Sequence, residues 1–240
     1  MRLILAQLRF ELVALLRNYE QLLLVVVIPV GVLLFFGNVN VLPSSAGIEH
    51  VVGAVLTLSV MSTAMVSTGI ATGFERSYHV LKRLGVTPLG RTRLVWAKAG
   101  AVGVVEIAQA VLLLGIALPM GWSATDSSWW QILLAMTLGT SAFAGIGLTL
   151  AGRLRAEVNL AAQNGLYLVL LAVGGVIVPV DELPSTVQEV ARVLPSGALA
   201  EVLHTSLNGA EGGTLSSWLV LVAWAAAAPF AAARLFRFDG

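Results

Sequence analysis

Six stretches of the chain are each about 20 residues long and almost free of charge. They cover residues 21–41, 51–73, 99–121, 131–152, 160–180 and 217–236. A helix needs about 20 apolar residues to cross the hydrocarbon core of a bilayer. Strands of a membrane barrel would be about 10 residues long and would alternate in polarity, and these stretches do neither. The pattern therefore predicts six transmembrane helices.

The composition excludes a water-soluble fold of this size. Hydrophobic residues make up 58% of the chain, whereas about 45–50% is usual in soluble domains. Only 11% of the residues are charged, which is too few to form a polar exterior. A net charge of +1 gives no reason to expect a nucleic acid partner, and the absence of cysteine excludes disulfides and thiolate metal sites. We therefore expect an all-α, polytopic membrane protein.

Residues 1–19 precede the first apolar stretch and have an amphipathic pattern. On a helical wheel one arc collects Ile4, Leu5, Leu8, Leu12, Leu15 and Leu16. Arg2 and Arg9 lie beside that arc, as in helices that lie in a membrane interface. A cleaved signal peptide would have a shorter charged region and a shorter apolar run. We predict an interfacial helix over 1–19, followed by a six-helix transmembrane domain over 20–240.

The distribution of lysine and arginine predicts the orientation of the chain. If both termini are cytoplasmic, thirteen of the fourteen basic residues lie on the inner side and Arg192 alone lies outside. Such a bias follows the positive-inside rule. Both termini are therefore expected in the cytoplasm, and the basic segment 74–98 becomes the main cytoplasmic loop.

The loop 74–98 is longer than a simple turn requires. Its portion 75–84 has helix-forming composition, and Gly85 and Pro88 provide a stop signal. Such a helix could rest on anionic lipid headgroups as a topology anchor. Alternatively, it could dock a cytoplasmic partner.

The segment 181–216 carries the second patterned connection. Three prolines punctuate its neighbourhood, and apolar residues between them recur at helical spacing: Val187, Val190, Ala191 and Leu194, then Ala198, Leu199, Val202 and Leu203. This pattern predicts two short helices that form an extracytoplasmic cap.

The order of these features resembles the membrane subunits of type-2 ABC exporters, which include drug and antibiotic efflux permeases. Four features carry the resemblance: the basic interfacial N-terminal helix, the loop "FERSYHVLKRLGVTPLGR", the outer segment "GGVIVPVDELPSTVQEVARVLP" and the six-span topology. Many members have Arg-Gly-Thr-Leu after the Glu-Arg pair, where this chain reads "SYHVLKRL". That departure bears on which side chains contact a partner.

The resemblance implies that the 74–98 loop contains a coupling helix that docks into a groove of a separate ABC ATPase subunit. The residues expected at this contact are Glu75, Arg76, Tyr78, Leu81, Lys82, Arg83 and Pro88. ATP and magnesium would be bound by the partner ATPase and not by this chain. A second permease, identical or different, would complete the complex, and the cargo would be a hydrophobic or amphipathic compound such as a drug, lipid or natural product.

The sequence contains no recognisable catalytic, phosphate-binding or metal-binding motif. There is no G-x-x-x-x-G-K-[ST] phosphate-binding loop and no H-E-x-x-H metal motif, and the three histidines lie far apart along the sequence. We expect no catalytic residue, no metal site and no bound cofactor. The glycine-rich stretch 139–147 lies inside a span and is interpreted as a site of close helix packing.

The polar residues inside the spans are candidates for a translocation path. Glu106 is the clear charge within a span, and such a group should face protein or water. The candidates are Ser62, Thr63, Ser67, Glu106, Gln109, Asn164 and Tyr167. The last two are included because the resemblance implies that spans two and five flank the central cavity. Hydroxyl groups in span two could instead aid helix packing.

Three functions remain open from the sequence. The first is the permease half of an ATP-driven exporter in a bacterial plasma membrane. The second is an ion-coupled secondary transporter or channel that uses Glu106, although such folds usually contain inverted repeats, and none is evident. The third is a membrane scaffold that transports nothing.

Overall fold

The computed structural model describes residues 2–17, 19, 23–39, 47–85, 90–125, 127–208 and 214–236. Within these ranges the chain is helical and contains no strand. The helices are α1 (Arg2–Arg17), α2 (Ile28–Asn38, preceded by a π-helical turn Leu23–Val27), α3 (Ile48–Ser77, with a π-helical segment Met61–Ser67), α4 (Val80–Gly85), α5 (Gly90–Ala117), α6 (Trp129–Ala151), α7 (Ala156–Val173), α8 (Ser185–Val193), α9 (Pro195–Leu207) and α10 (Leu215–Leu235).

Five of the described helices are long and apolar enough to cross a membrane: α3, α5, α6, α7 and α10. The first expected span, 21–41, is represented by the shorter apolar helix Val25–Asn38, and its flanks 20–22 and 40–46 lie outside the described residues. The expectation of a helical, multi-pass membrane protein is confirmed. The count of six spans and the cytoplasmic location of both termini stay predictions.

Helix α3 lies at the centre of the bundle. Every residue from 51 to 67 is buried, because α3 packs against α2, α5, α6, α7 and α9. Its few polar side chains in this stretch are hydroxyls, several of which donate to the backbone of α3 itself, so the helix can be buried on all sides. The other spans each expose an apolar face, for example at Val111 of α5 and Leu168 of α7. Lipid or a further membrane protein can cover these faces.

The glycines of α6 allow neighbouring helices to approach closely. A Cβ atom added at Gly145 would lie 2.4 Å from the backbone of Ala228 and Pro229 in α10, and one at Gly147 would lie 2.7 Å from the carbonyl oxygen of Met65 in α3. Real Cβ atoms do not approach so closely, so only glycine fits at these crossings. The interpretation of 139–147 as a close-packing stretch is confirmed.

Two helices, α8 and α9, occupy the segment after α7. Helix α9 packs into the bundle against α3 and α6, and every residue from 195 to 200 is buried. A Cβ atom added at Gly53 of α3 would lie 3.2 Å from the backbone of His204. Helix α9 is therefore packed closely against α3.

The helix expected over 75–84 is interrupted in the structure, which corrects that prediction. Helix α3 continues as far as Ser77, a turn follows at Tyr78 and His79, and α4 begins at Val80. His79 has a φ of 59°, in the left-handed region that ends helices. The break is set by a non-glycine residue in this conformation, for which the sequence carries no clear signal. Much of the 74–98 segment therefore consists of helix ends.

Candidate functional site

The turn between α3 and α4 presents some of the expected coupling residues and buries others. Tyr78 is 67% exposed, and Lys82 and Arg83 are also exposed. Leu81 is only 7% exposed and packs inward. The ring of Tyr78 stacks on that of Phe74, with centroids 6.1 Å apart. The turn therefore offers an aromatic and basic surface, while Pro88 lies outside the described residues.

Arg76 is buried and bonds within the chain. Its Nη1 donates a hydrogen bond of 2.8 Å to the carbonyl oxygen of Gly152, and its Nη2 donates to the carbonyl oxygen of Leu154. Both acceptors belong to the turn between α6 and α7. Helix ends leave carbonyl groups without partners, so this guanidinium joins the end of α3 to the α6–α7 turn.

Glu75 is also engaged within the chain. The Nζ of Lys98 in α5 lies 2.7 Å from Oε1 of Glu75 and 3.1 Å from Oε1 of Glu11 in α1. All three side chains are largely buried. This ion triad ties the N-terminal helix to the ends of α3 and α5. Glu11 and Lys98 were not among the residues singled out from the sequence, since their pairing depends on helices far apart in the chain.

A cavity of about 300 Å³ lies beside the ion triad, between α1, α3 and α5. Two of the expected path residues, Thr63 and Ser67, line it. Ser62 does not line it, and its hydroxyl donates to the carbonyl oxygen of Ser59 in its own helix. A hydroxyl that bonds to its own helix can still border the cavity, since Thr68 lines it and donates to the carbonyl oxygen of Thr63.

Gln109 of α5 joins two π-helical segments. Its Oε1 accepts a hydrogen bond of 2.8 Å from Thr63, and its Nε2 donates to the carbonyl oxygen of Val25. Thr63 and Val25 belong to the π-helical segments of α3 and of the turn before α2. A π-helical segment changes the helical register and is frequent at functional sites. Gln109 therefore marks a polar crossing of three helices.

Glu106 faces a different neighbour from Gln109. It is 3% exposed, and its Oε2 accepts a hydrogen bond from the hydroxyl of Thr140 in α6. Its Oε1 is buried without a hydrogen-bond partner in the described part of the chain. The arrangement holds α5 to α6 by one polar contact and leaves one acceptor unused.

The polar residues of α7 that bond to neighbouring helices are not its two translocation-path candidates. Asn164 donates to the carbonyl of Leu160 in its own helix, and Tyr167 is partly buried against the core. Instead, Nδ2 of Asn159 donates to the carbonyl of Gly69 at 2.9 Å, and Nε2 of Gln163 donates to the carbonyl of Gly147 at 2.9 Å.

We call Asn159 and Gln163 the amide pair. Both residues are 0% exposed and lie one helical turn apart on α7. They fit against Gly69 and Gly73 of α3, which are spaced like a small-xxx-small motif. The four-residue spacing of the amides and that of the glycines can both be seen in the sequence, but the contact between the two pairs cannot.

Two histidines lie close together at the opposite end of α3 from the ion triad. The ring centroids of His50 and His204 are 5.4 Å apart, and Nε2 of His50 lies 2.9 Å from the carbonyl oxygen of Ile177. Burial lowers the pKa of His204, which is therefore neutral near pH 7. Across the described residues, no cluster of histidine, cysteine, aspartate and glutamate has the composition of a metal site.

Comparison with known proteins matches nearly the whole chain to one family. The family model described as ABC-2 type transporter matches residues 2–207. A relative from Bacillus subtilis (strain 168) named "Putative transport permease YvfS" is 27% identical over 219 residues, which is 89% of each chain. No solved structure matches the chain significantly.

Proposed function

Because the chain belongs to the ABC-2 type transporter membrane family and is a transport permease subunit by that membership, we propose that it forms the permease half of an ATP-driven exporter. Such a complex contains a separate ABC ATPase, which binds ATP and magnesium, and a second permease, identical or not. The proposed location is a bacterial plasma membrane, in keeping with the Bacillus relative.

The surface that carries the proposal is the turn between α3 and α4. A soluble motor can move membrane helices only through a rigid contact at their ends. The exposed side chains at this turn are Tyr78, Lys82 and Arg83. In the last turn of α3, next to them in the chain, Arg76 and Glu75 bond to other helices. We propose that the exposed three contact the ATPase. Glu75, Arg76 and Leu81 would then transmit the movement of the ATPase to the membrane helices. Pro88 is proposed to fix the direction in which the chain leaves this contact.

The cargo is proposed to be hydrophobic or amphipathic. The faces that α2, α5, α7 and α10 present outside the bundle are predominantly apolar, and a second permease packed on such a face would enclose a passage of low charge. Drugs, lipids and natural products have the matching chemistry. Efflux is the proposed direction because the chain resembles type-2 ABC exporters. Antibiotic resistance is one role that such a cargo would allow.

The coupling surface can be tested with the double variant Tyr78→Ala/Arg83→Glu. Tyrosine and arginine are frequent hot spots, and losing one costs about 2 kcal/mol of binding, which corresponds to about 30-fold in affinity. We expect at least that loss in affinity for the ATPase and a matching loss of ATP hydrolysis by the reconstituted complex. The measurements are binding of the purified ATPase to the permease in nanodiscs and phosphate release.

The matched control for the coupling surface is Arg192→Glu. Arg192 is an exposed arginine at the C-terminal end of α8, away from the α3–α4 turn. This variant should bind and stimulate the ATPase like the natural chain. If Tyr78→Ala/Arg83→Glu folds and still binds the ATPase with unchanged affinity, the ATPase docks elsewhere and the proposal fails.

The unused acceptor of Glu106 supports a second candidate, an ion-coupled transporter or channel. A buried carboxylate with one free oxygen could exchange a proton or cation. If the protein is an ATP-driven exporter, Glu106→Gln should reduce transport only slightly, because glutamine can still accept the hydrogen bond of Thr140. Dye efflux from vesicles energised by ATP or by a proton gradient distinguishes the two. Gradient-driven transport that Glu106→Gln abolishes would establish the second candidate.

A further inference from the structure

Two histidines meet where α9 packs on the first turns of α3. His50 lies in the first turn of α3 and His204 in the last turn of α9. Their ring centroids are 5.4 Å apart and their planes meet at 63°, in an edge-to-face arrangement. The helices are close here, since a Cβ atom added at Gly53 would lie 3.2 Å from the backbone of His204. Both rings are partly exposed, so protons from the medium can reach them.

The hydrogen bond of His50 defines which ring nitrogen carries its proton. The carbonyl oxygen of Ile177 can only accept, so Nε2 of His50 donates the hydrogen bond of 2.9 Å. In the neutral ring Nδ1 then carries no proton. Two neutral rings attract each other in an edge-to-face contact, whereas two imidazolium rings at this distance repel. The contact therefore favours states in which at most one of the two rings is charged.

The acidic groups near the pair are poorly placed to compensate a second positive charge. Glu49 of α3 and Glu201 of α9 both act electrostatically on His204. Each carboxylate oxygen of Glu201 already accepts a hydrogen bond, from Thr214 and Ser217 at the beginning of α10. Glu49 is exposed, and water and salt weaken its attraction.

The helices packed against α3 and α9 bring no further charge to the pair. Helices α2 and α6 contain no charged residue. Tyr167 of α7 packs on a cluster shared by α3 and α9, and a phenol is neutral in the range where histidine titrates. The other charged groups that the structure describes on these helices lie at the opposite end of the bundle, in mid-helix or on an exposed face: Glu75, Arg76, Lys82, Arg83, Lys98, Glu106, Glu157, Glu189, Arg192 and Arg234.

We propose that His50 and His204 form a proton-sensitive latch between α3 and α9. Around neutral pH the uncharged rings hold the end of α9 against the central helix of the bundle. In acid both rings become charged, and their repulsion loosens α9 from α3. In the predicted orientation this end of α3 is extracytoplasmic, so the latch responds to the medium outside the cell. The latch needs no ATPase and goes beyond the transport function proposed above.

The direction of the pH effect follows from the burial of the pair. Burial lowers the pKa of His204, although Glu49 and Glu201 act in the opposite direction. An opened or unfolded chain keeps the usual histidine pKa of about 6.5. Above about pH 6.5 the ring is neutral in both states, and the contact has its full stability. Below that pH the opened chain binds the proton more readily, so the contact loses stability as the pH falls.

Hydrogen exchange of the α9 amides tests the latch. The full-length protein in nanodiscs is compared with His50→Gln and with His204→Gln at about pH 7.5 and about pH 5.5, which lie on either side of the histidine titration. The ratio of the natural rate to that of either variant, taken at one pH, removes the intrinsic pH dependence of exchange. We expect this ratio to rise about tenfold on acidification, as the repulsion between two nearby charges predicts. An unchanged ratio overturns the proposal.

The matched control is His79→Asn at the other end of α3. His79 is exposed and has a φ of 59°, a conformation that asparagine tolerates. This variant removes a histidine but keeps the latch, so its α9 should respond to acid like that of the natural chain. Loss of the response in His79→Asn overturns the proposal. If neither glutamine variant folds, the natural chain still decides: after correction for intrinsic rates, acid must accelerate exchange in α9 more than in α7, and equal acceleration overturns the proposal.

Discussion

Gly69→Val is expected to destabilise the folded protein by about 2–4 kcal/mol, from overpacking and from lost hydrogen bonds of the amide pair. A Cβ atom at position 69 would lie 2.1 Å from Nε2 of Gln163, and that nitrogen is held by the carbonyl of Gly147. The amide must leave its acceptor, or α3 and α7 must separate. The unfolding midpoint, followed by the fluorescence of the six tryptophans, should fall and aggregation on gel filtration should rise.

The matched control for Gly69→Val is Gly103→Val on α5, where an added Cβ would meet no atom within 4 Å. It should change the midpoint much less. The double variant Gly69→Ala/Gln163→Ala should be more stable than Gly69→Ala, because removing the amide relieves the clash. If Gly69→Val is as stable as Gly103→Val, the close contact between α3 and α7 does not exist in the folded protein.

The helices of this protein could be predicted from the sequence because each depends on local composition. A short window of sequence is enough to recognise each of them: the apolar stretches, the amphipathic N-terminal segment and the helices that begin near Pro184 and Pro195. Boundaries that depend on a single backbone conformation could not be predicted. His79 ends α3 with a positive φ, and most residues other than glycine avoid that region.

The partners of the polar side chains could not be predicted, because they come from distant parts of the chain. Asn159 bonds to a carbonyl 90 positions away. From the sequence alone Asn164 is an equally good candidate, but five residues along a helix turn the side chain by about 140°. Asn159 therefore faces α3, whereas Asn164 bonds to its own helix. Without knowing which face of α7 packs on α3, the two amides could not be distinguished.

The same limit applies to the coupling segment. The family resemblance implied one contact surface made of Glu75, Arg76, Tyr78, Leu81, Lys82, Arg83 and Pro88. The structure separates them, since α3 carries the first two into the bundle before the turn at Tyr78 and His79. The charges of this segment can therefore serve the packing of helix ends as well as a partner.

Arg76→Met should destabilise the protein strongly, since the carbonyl oxygens of Gly152 and Leu154 would lose a charged donor. Hydrogen bonds to charged groups contribute about 1.5–3 kcal/mol each, so we expect a loss of about 3 kcal/mol or more. Methionine has a similar length and an apolar character, so the loss comes from the polar contacts and not from a cavity. The unfolding midpoint and the fraction of monodisperse protein after purification are the measurements.

Arg83→Met provides the comparison, because Arg83 is exposed at the same turn. It should leave the unfolding midpoint nearly unchanged and weaken the interaction with the ATPase. Arg76→Lys should fall between the natural chain and Arg76→Met, since an ammonium keeps the charge but cannot reproduce the two-pronged geometry of a guanidinium. The pair thus separates two roles for arginine in one segment. If Arg76→Met is stable and loses only ATPase binding, Arg76 belongs to the docking surface and its bonds to the α6–α7 turn are dispensable.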